Sequence, residues 1–184
     1  MSDSFQRVAN EIARAVSNTQ LNGYEDFLNL VNRDRTKIIC TGAGRVGLSM
    51  RGFTMRLSHL GLNAYFLGET IVPHTGKGDL LLVGSGSGQT SSVLRTVEIA
   101  KSKELRVGLI TASKESPMSK LSDACVVLNT PNKTLGKDSQ TSIQPMTTLF
   151  EQTLAVFLDS VVLDLMKKFD ENSETMWERH NAIE

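Results

Sequence analysis

The sequence is poor in several residue types that often define a function. It contains two cysteines, four prolines and one tryptophan among 184 residues, and its 20 basic and 20 acidic side chains leave no net charge. A balanced charge argues against the broad basic surface that nucleic-acid binding requires. Cys40 and Cys125 have neither metal-ligand nor redox spacing, so we assign no metal site and expect reduced thiols, buried in strands, in a cytoplasmic protein.

Long hydrophobic runs are also missing. No apolar stretch approaches the roughly 20 residues of a membrane span. The first 20 residues form a polar amphipathic pattern without the apolar centre of a signal peptide. We therefore expect no membrane association. The length and the 40% hydrophobic content are typical of one domain with its own core.

A loop rich in glycines and hydroxyls follows the most apolar run of the chain. Leu80–Thr90 reads Leu-Leu-Leu-Val-Gly-Ser-Gly-Ser-Gly-Gln-Thr, and helical spacing continues over Ser91–Lys103. Glycines let a ligand approach the backbone closely. The hydroxyls of Ser85, Ser87 and Thr90 would lie beside the free N–H groups of a helix start. The pattern favours a phosphate-binding loop, with a flexible turn that binds nothing as the alternative.

Hydrophobic periodicity predicts alternating helices and strands. Because the strands are nearly continuous apolar runs, we expect a parallel sheet covered by helices on both faces. Residues 130–145 are interpreted as a polar loop long enough to serve a function. The predicted elements are helices 5–16 and 24–32, strand 37–41, helix 48–60, strand 63–67, a strand from residue 80, helix 91–103, strand 106–111, helix 116–121, strand 124–128, and helices 146–169 and 174–183.

A second glycine-rich segment, Gly42–Gly47, matches the G-x-G-x-x-G fingerprint of dinucleotide sites. That site also needs an acidic residue at the end of the next strand, and Glu69 lies beyond that point. A lone fingerprint is weak support for nicotinamide binding. We therefore favour an arrangement in which this segment and the Gly84–Thr90 loop flank one crevice at the carboxyl ends of parallel strands.

Three charged or titratable positions are candidates for chemistry. Arg45 starts a helix, where a cation gains nothing from the dipole, so it faces a ligand or an acid, or is simply exposed. Glu151, in the first turns of the long helix, is either stabilised by the dipole or a proton-transfer base, although an exposed glutamate is the simpler interpretation. His180 is expected to be exposed in the tail, and His59 to be structural.

From about Lys37 to its last residue, the sequence resembles the sugar isomerase (SIS) domain family. The Gly84 loop is typical of the whole family, and the Gln144–Pro145 segment with the histidine-containing tail is typical of a branch that acts on a 3-hexulose phosphate. The matching stretches are Thr41–Gly47, Met55–Gly61, Gly68–Thr70, Gly84–Thr90, Ile143–Met146, Leu149–Thr153, Phe157–Asp159 and Arg179–Glu184.

The resemblance implies a three-layer, flavodoxin-like α/β fold in which a five-stranded parallel sheet is flanked by helices, in one domain over residues 1–184. It implies reversible conversion of D-arabino-hex-3-ulose 6-phosphate to D-fructose 6-phosphate through an enediol, a step of the ribulose monophosphate pathway of formaldehyde fixation and detoxification. It further implies a homo-oligomer, expected to be a tetramer, with sites near subunit interfaces and with no metal or organic cofactor.

The resemblance and the positions of the residues together suggest a hypothesis for the mechanism. Glu151 would move the proton from C2 to C3, Arg45 would stabilise the enediolate oxyanion, and His180, from a neighbouring subunit, would serve ring opening or proton transfer at oxygen. The expected phosphate-binding residues are Gly44, Ser85, Gly86, Ser87 and Thr90, and the other expected substrate-binding residues are Glu69 and Gln144.

Two positions depart from the family pattern. Val46 stands where the family usually has Ser, which puts one phosphate contact in doubt, and Thr147 stands where it usually has Gly, which could narrow the approach to Glu151. Two other functions remain open. One is a phosphosugar-sensing module without catalysis, although no basic helix-turn-helix extension is present. The other is an isomerase for a different sugar phosphate, such as arabinose 5-phosphate.

Overall fold

The computed structural model describes residues 3–33, 36–131 and 142–183. Five strands form a parallel sheet in the order β2-β1-β3-β4-β5. The strands are β1 Lys37–Gly42, β2 Asn63–Phe66, β3 Leu80–Gly84, β4 Arg106–Thr111 and β5 Ala124–Val127. The helices are α1 Asp3–Ser17, α2 Tyr24–Leu30, α3 Gly44–His59, α4 Ser91–Ser102, α5 Pro117–Leu121, α6 Thr148–Phe169 and α7 Ser173–Trp177.

The sheet separates two hydrophobic cores, because successive side chains of a strand point to opposite faces. In β3, Leu80 and Leu82 join the core under α2, α3 and α6, whereas Leu81 and Val83 join the core under α4 and α5. Both faces of the strand must therefore be apolar, which explains its uninterrupted hydrophobic sequence. The predicted fold class, a five-stranded parallel sheet between helical layers, is confirmed.

Several boundaries differ from the predicted ones. The helix predicted from residue 48 begins at Gly44, so Arg45 and Val46 belong to its first turn. The long helix begins at Thr148 rather than at residue 146, because Met146 adopts a left-handed backbone with φ 56°. The last helix ends at Trp177 rather than continuing to residue 183.

The expectation that both cysteines are buried is half right. Cys40 is fully buried in β1, whereas Cys125 is only half-buried, because β5 is an edge strand of the sheet. The predicted loop over residues 130–145 falls mostly outside the described residues, at 132–141. Within the described ranges, no helix has both the length and the apolar character needed to cross a bilayer.

Helix α6 is the longest helix among the described residues and supplies one face to the core. Leu154, Val161 and Leu165 on this face are completely buried. Val156 and Leu163, on its other side, are 45% and 59% exposed. The first turn of α6 lies at the end of the sheet where β1 and β3 finish, and this placement builds the candidate site.

Candidate active site

A cavity of about 390 Å³ opens at the carboxyl ends of β1 and β3. Strand order reverses between these two strands, and such a switch point is where open α/β sheets bind ligands. The predicted crevice between the two glycine-rich loops is therefore confirmed. The lining residues are Ala43, Gly44, Arg45, Val46, Gly84, Ser85, Gly86, Ser87, Thr90, Met146, Thr147, Thr148, Phe150 and Glu151.

Three helices begin at this cavity. Their N-cap residues are Ala43 for α3, Thr90 for α4 and Thr147 for α6, and within the described residues none of the three helices has a side-chain cap hydrogen bond. The N–H groups of a first helical turn have no partner within the helix and carry a partial positive charge. Three uncapped helix starts around one cavity therefore favour an anionic ligand.

The Ser85–Thr90 loop is held in shape by its own hydroxyls. The N–H of Gly88 donates to Ser85 Oγ over 3.2 Å, and the N–H of Gln89 donates to Ser87 Oγ over 3.3 Å. Gly88 has φ +61°, and a Cβ there would overlap the side chain of Ser116. Because both hydroxyls accept bonds from the loop, their protons are left to donate to a ligand oxygen.

Glu151 brings a carboxylate to the opposite wall of the cavity, and its side chain is 13% exposed. Thr147 Oγ1 donates to Glu151 Oε1 over 3.0 Å. Arg45 Nη1 lies 3.1 Å from Oε2. This ion pair is not aligned as a hydrogen bond, so the buried Oε2 has no hydrogen-bond donor among the described residues and can accept a proton.

Arg45 reaches across the mouth of the cavity from α3 to α6. Its guanidinium, 60% exposed, meets Glu151 and also lies 3.4 Å from Thr148 Oγ1. The prediction that Arg45 faces a ligand or an acid is confirmed, because Arg45 faces the carboxylate of Glu151. An exposed guanidinium beside three helix starts is also positioned to meet an anionic substrate.

Three of the predicted site residues lie outside the cavity. Glu69 pairs with Arg51 over 3.0 Å near the β2 edge of the sheet. Gln144 donates its side-chain amide to Glu11 Oε2 over 2.9 Å. His180 lies in the tail, beside His59 at the end of α3.

The tail folds back onto the far end of α3. The His180 ring stacks on Trp177 at 4.8 Å between centroids and lies 5.4 Å from the ring of His59. The prediction that His59 is structural agrees with its burial, at 7% exposure. Arg45 and His59 mark opposite ends of α3, about 20 Å apart at 1.5 Å per residue. His180 therefore does not line the cavity of its own chain.

Two residues that the sequence did not identify as parts of the site, Thr147 and Glu11, make contacts that support it. Thr147, expected only to narrow the site, is a hydrogen-bond donor to Glu151; its spacing of four residues from Glu151 at a helix start was the available signal. Glu11, on α1, had no sequence signal that linked it to the site. In the described part of the chain, no three His, Cys, Asp or Glu side chains are grouped to hold a metal ion.

Comparison with known proteins yields a consistent set of relatives. The model of the SIS domain matches residues 32–157. A 3-hexulose-6-phosphate isomerase of Bacillus subtilis is 43% identical over 148 residues, which cover 80% of each chain. One of the same name from Mycobacterium gastri is 39% identical over 80% of this chain and 74% of its own.

A solved structure gives the same result at the level of the fold. It is a protein of Methanococcus jannaschii for which a molecular function of 3-hexulose-6-phosphate isomerase is inferred. It superimposes with a TM-score of 0.80 at 29% sequence identity and covers 100% of both chains. The match therefore includes α1 and the tail, which lie outside the residues matched by the domain model.

Proposed function

The chain belongs to the SIS domain family, and on that premise we propose that it is a 3-hexulose-6-phosphate isomerase. The identity to relatives of that name supports the substrate. The observation that carries the proposal is one cavity shared by a phosphate-type loop and a carboxylate. A phosphosugar isomerase needs both, because one end of the substrate is an anion and the other end must exchange a proton.

In the proposed reaction the carbonyl of the sugar moves from C3 to C2. Glu151 Oε2 takes the proton from C2, and the electron pair of that C–H bond forms a C2–C3 double bond while the C3 oxygen gains a proton. Return of the proton from Glu151 to C3, with loss of the proton on the C2 oxygen, gives D-fructose 6-phosphate. No oxidant is needed, since one carbon is oxidised as its neighbour is reduced.

The phosphate would be held by the Ser85–Thr90 loop. Ser85, Ser87 and Thr90 would donate their hydroxyls, while Gly44 and Gly86 would let the backbone approach it. Binding energy from this remote group would hold C2 and C3 against Glu151. Val46 places a methyl group next to Gly84, so the first glycine loop adds no hydroxyl at that position and the second loop would supply more of the contacts.

Arg45 would stabilise the enediolate as its negative charge develops. A guanidinium 3.1 Å from the base is already close to the carbons that exchange the proton. His180 and Glu69 would serve catalysis and substrate binding only in the cavity of a second copy, since neither lines the cavity of its own chain. Gln144 would contribute to substrate binding only after leaving Glu11.

We further propose a homo-oligomer, expected to be a tetramer, that works in the cytoplasm in formaldehyde fixation or detoxification. The exposed apolar side chains of α3 and α6, Leu48, Met55, Val156 and Leu163, support contact between copies, because removal of apolar surface from water favours association. Two free thiols support a reducing compartment.

The test is conversion of D-arabino-hex-3-ulose 6-phosphate by the purified full chain, with fructose 6-phosphate measured through a coupled dehydrogenase. Arabinose 5-phosphate serves as the competing substrate. Turnover of arabinose 5-phosphate alone would replace the proposed substrate. Binding of both sugars without turnover of either would identify a sensing module and refute the enzyme.

A further inference from the structure

Glu11 of α1 holds the segment that leads into α6. Its Oε1 accepts the backbone N–H of Ile143 over 2.9 Å. Its Oε2 accepts Ser142 Oγ over 3.0 Å and the side-chain amide of Gln144 over 2.9 Å. A carboxylate that accepts three bonds from consecutive residues fixes both their backbone and their side chains.

The held segment continues directly into the wall of the cavity. Thr148 Oγ1 donates to the carbonyl of Pro145 over 2.7 Å, which ties the first turn of α6 back to the segment. Met146 between them has φ 56°, a conformation that a side-chain-bearing residue adopts only when its surroundings hold it. Thr147 then donates to Glu151. Only Pro145 and Met146 therefore separate the Glu11 anchor, at Gln144, from Thr147, the donor that orients the carboxylate.

We propose that Glu11 is a positioning residue for the reaction, which anchors residues 142–144 so that Thr147 and Glu151 keep their place in the cavity. The inference rests on the proposed function for its catalytic part. None of these hydrogen-bonded partners of Glu11 lines the cavity. Glu11 therefore acts only through the segment. It gives α1, which lies outside the matched SIS residues, a part in catalysis.

The contact made by Glu11 is not a by-product of tight packing of α1 against the rest of the protein. Only Ala15 of the helix is buried, so few apolar contacts hold α1 in place. In the structure all three partners donate, so both oxygens of the carboxylate act as acceptors. Glu11→Gln removes the charge and leaves one acceptor oxygen, so Ser142, Ile143 and Gln144 can no longer all donate to this side chain, and Gln144 would have to turn its own carbonyl oxygen toward the new amide.

The experiment compares Glu11→Gln with Asp3→Asn in the full chain. Asp3 is a matched control because it lies on the same helix, its substitution removes the same charge, and its one ion pair among the described residues is an exposed one with Arg7. Amide hydrogen exchange over residues 142–151 reports the anchor without any substrate. For Glu11→Gln we expect exchange there to rise about tenfold or more, while exchange over residues 84–93 stays unchanged.

Steady-state kinetics test the catalytic part. Glu11→Gln should lower kcat about tenfold with KM changed less than about twofold, since displacement of a catalytic group by a fraction of an ångström lowers kcat while the phosphate loop is untouched. The double variant Glu11→Gln with Gln144→Glu restores an acceptor opposite a donor and should recover most of kcat. Asp3→Asn should match the wild type.

The outcomes separate the two claims. Unchanged exchange over residues 142–151 in Glu11→Gln overturns the anchor, whatever the activity. Raised exchange with unchanged kcat overturns the positioning role. A wild-type chain that does not turn over the hexulose phosphate refutes the proposed function and with it the kinetic part, while the exchange measurement still decides whether Glu11 is the anchor.

Discussion

The two walls of the cavity are held in place by different kinds of contact. The phosphate side, Gly84–Thr90, is a strand-loop-helix junction whose hydroxyls bond within the loop and whose backbone also bonds to β4 and to the start of α5. The base side, Met146–Glu151, depends on the side chains of Arg45 and Glu11, which lie more than 100 residues away. We infer that the central sheet fixes the phosphate side, whereas the base side responds to substitution of single remote side chains.

The largest expected effect is on the base side. Glu151→Gln keeps the size of the side chain and removes the proton acceptor, so kcat should fall about a thousandfold, with KM changed only a few-fold. Steady-state rates with the hexulose phosphate measure this. Glu98→Gln is the matched control, because Glu98 is an exposed glutamate on α4 that, in the described part of the chain, pairs only with the neighbouring Arg95. Near-normal turnover in folded Glu151→Gln would exclude the residue as the base.

The phosphate side should respond in binding rather than in chemistry. Ser87→Ala removes one expected donor to the phosphate, a loss of about 1.5 kcal/mol for a hydrogen bond to a charged group, so KM should rise about tenfold while kcat changes less. Isothermal titration with fructose 6-phosphate gives the same comparison at equilibrium. Ser92→Ala, in the first turn of α4 but outside the cavity lining, should bind normally. If KM and kcat of Ser87→Ala are both unchanged, the loop is not the phosphate site.

The two walls also differ in what the sequence could predict. The phosphate loop follows from local rules, because three glycines and three hydroxyls between an apolar strand and an amphipathic helix suffice to define it. The strand order follows from the family resemblance and the alternation of elements. Periodicity also identified the long helix, and only its start was misplaced, since the left-handed Met146 has no signature in a residue type that rarely adopts that conformation.

Pairings on the base side could not be derived from local patterns. The Arg45–Glu151 contact joins the starts of α3 and α6, and helical periodicity gives the face of each helix but not which starts meet. The amide of Gln144 suits a sugar hydroxyl as well as it suits a carboxylate, so its bond to Glu11 was not foreseeable. Neither His180 nor Glu69 lines the cavity of its own chain, and in the proposed oligomer any use of them would depend on contacts between chains, which no pattern within one chain specifies.

A smaller effect is expected from the hydrogen bond that orients the base. Thr147→Val removes the donor to Glu151 Oε1 while keeping the shape of the side chain, and we expect kcat to fall about fivefold with little change in KM. Thr147→Ser keeps the hydroxyl and should retain most of the activity. Equal rates for the valine and serine variants would show that the hydroxyl does not orient Glu151. The contact with Arg45 would then be the one that orients the carboxylate.

The weakest effect concerns the tail, which neither wall of the cavity touches within one chain. Hydrogen bonds from Arg179 and Thr175, with a further one from Arg33, lower the pKa of Glu171 from 4.5 to about 2 against a smaller opposing effect of burial. Because the folded pKa is the lower one, the contribution of Glu171 to tail docking is complete above pH 4.5 and is lost as the pH falls toward 2.

Trp177 reports this docking, since it is the single tryptophan of the chain and stacks on His180. Its fluorescence should change as the pH falls from about 4.5 toward 2, the range in which Glu171 loses its charge. Glu171→Gln should already show the low-pH signal at neutral pH. If that variant also keeps full activity, His180 does not act in a neighbouring cavity from a docked tail, and the base side is complete without it. A loss of activity that follows the fluorescence change would instead place the tail with the base side, as a third remote contact on which that wall depends.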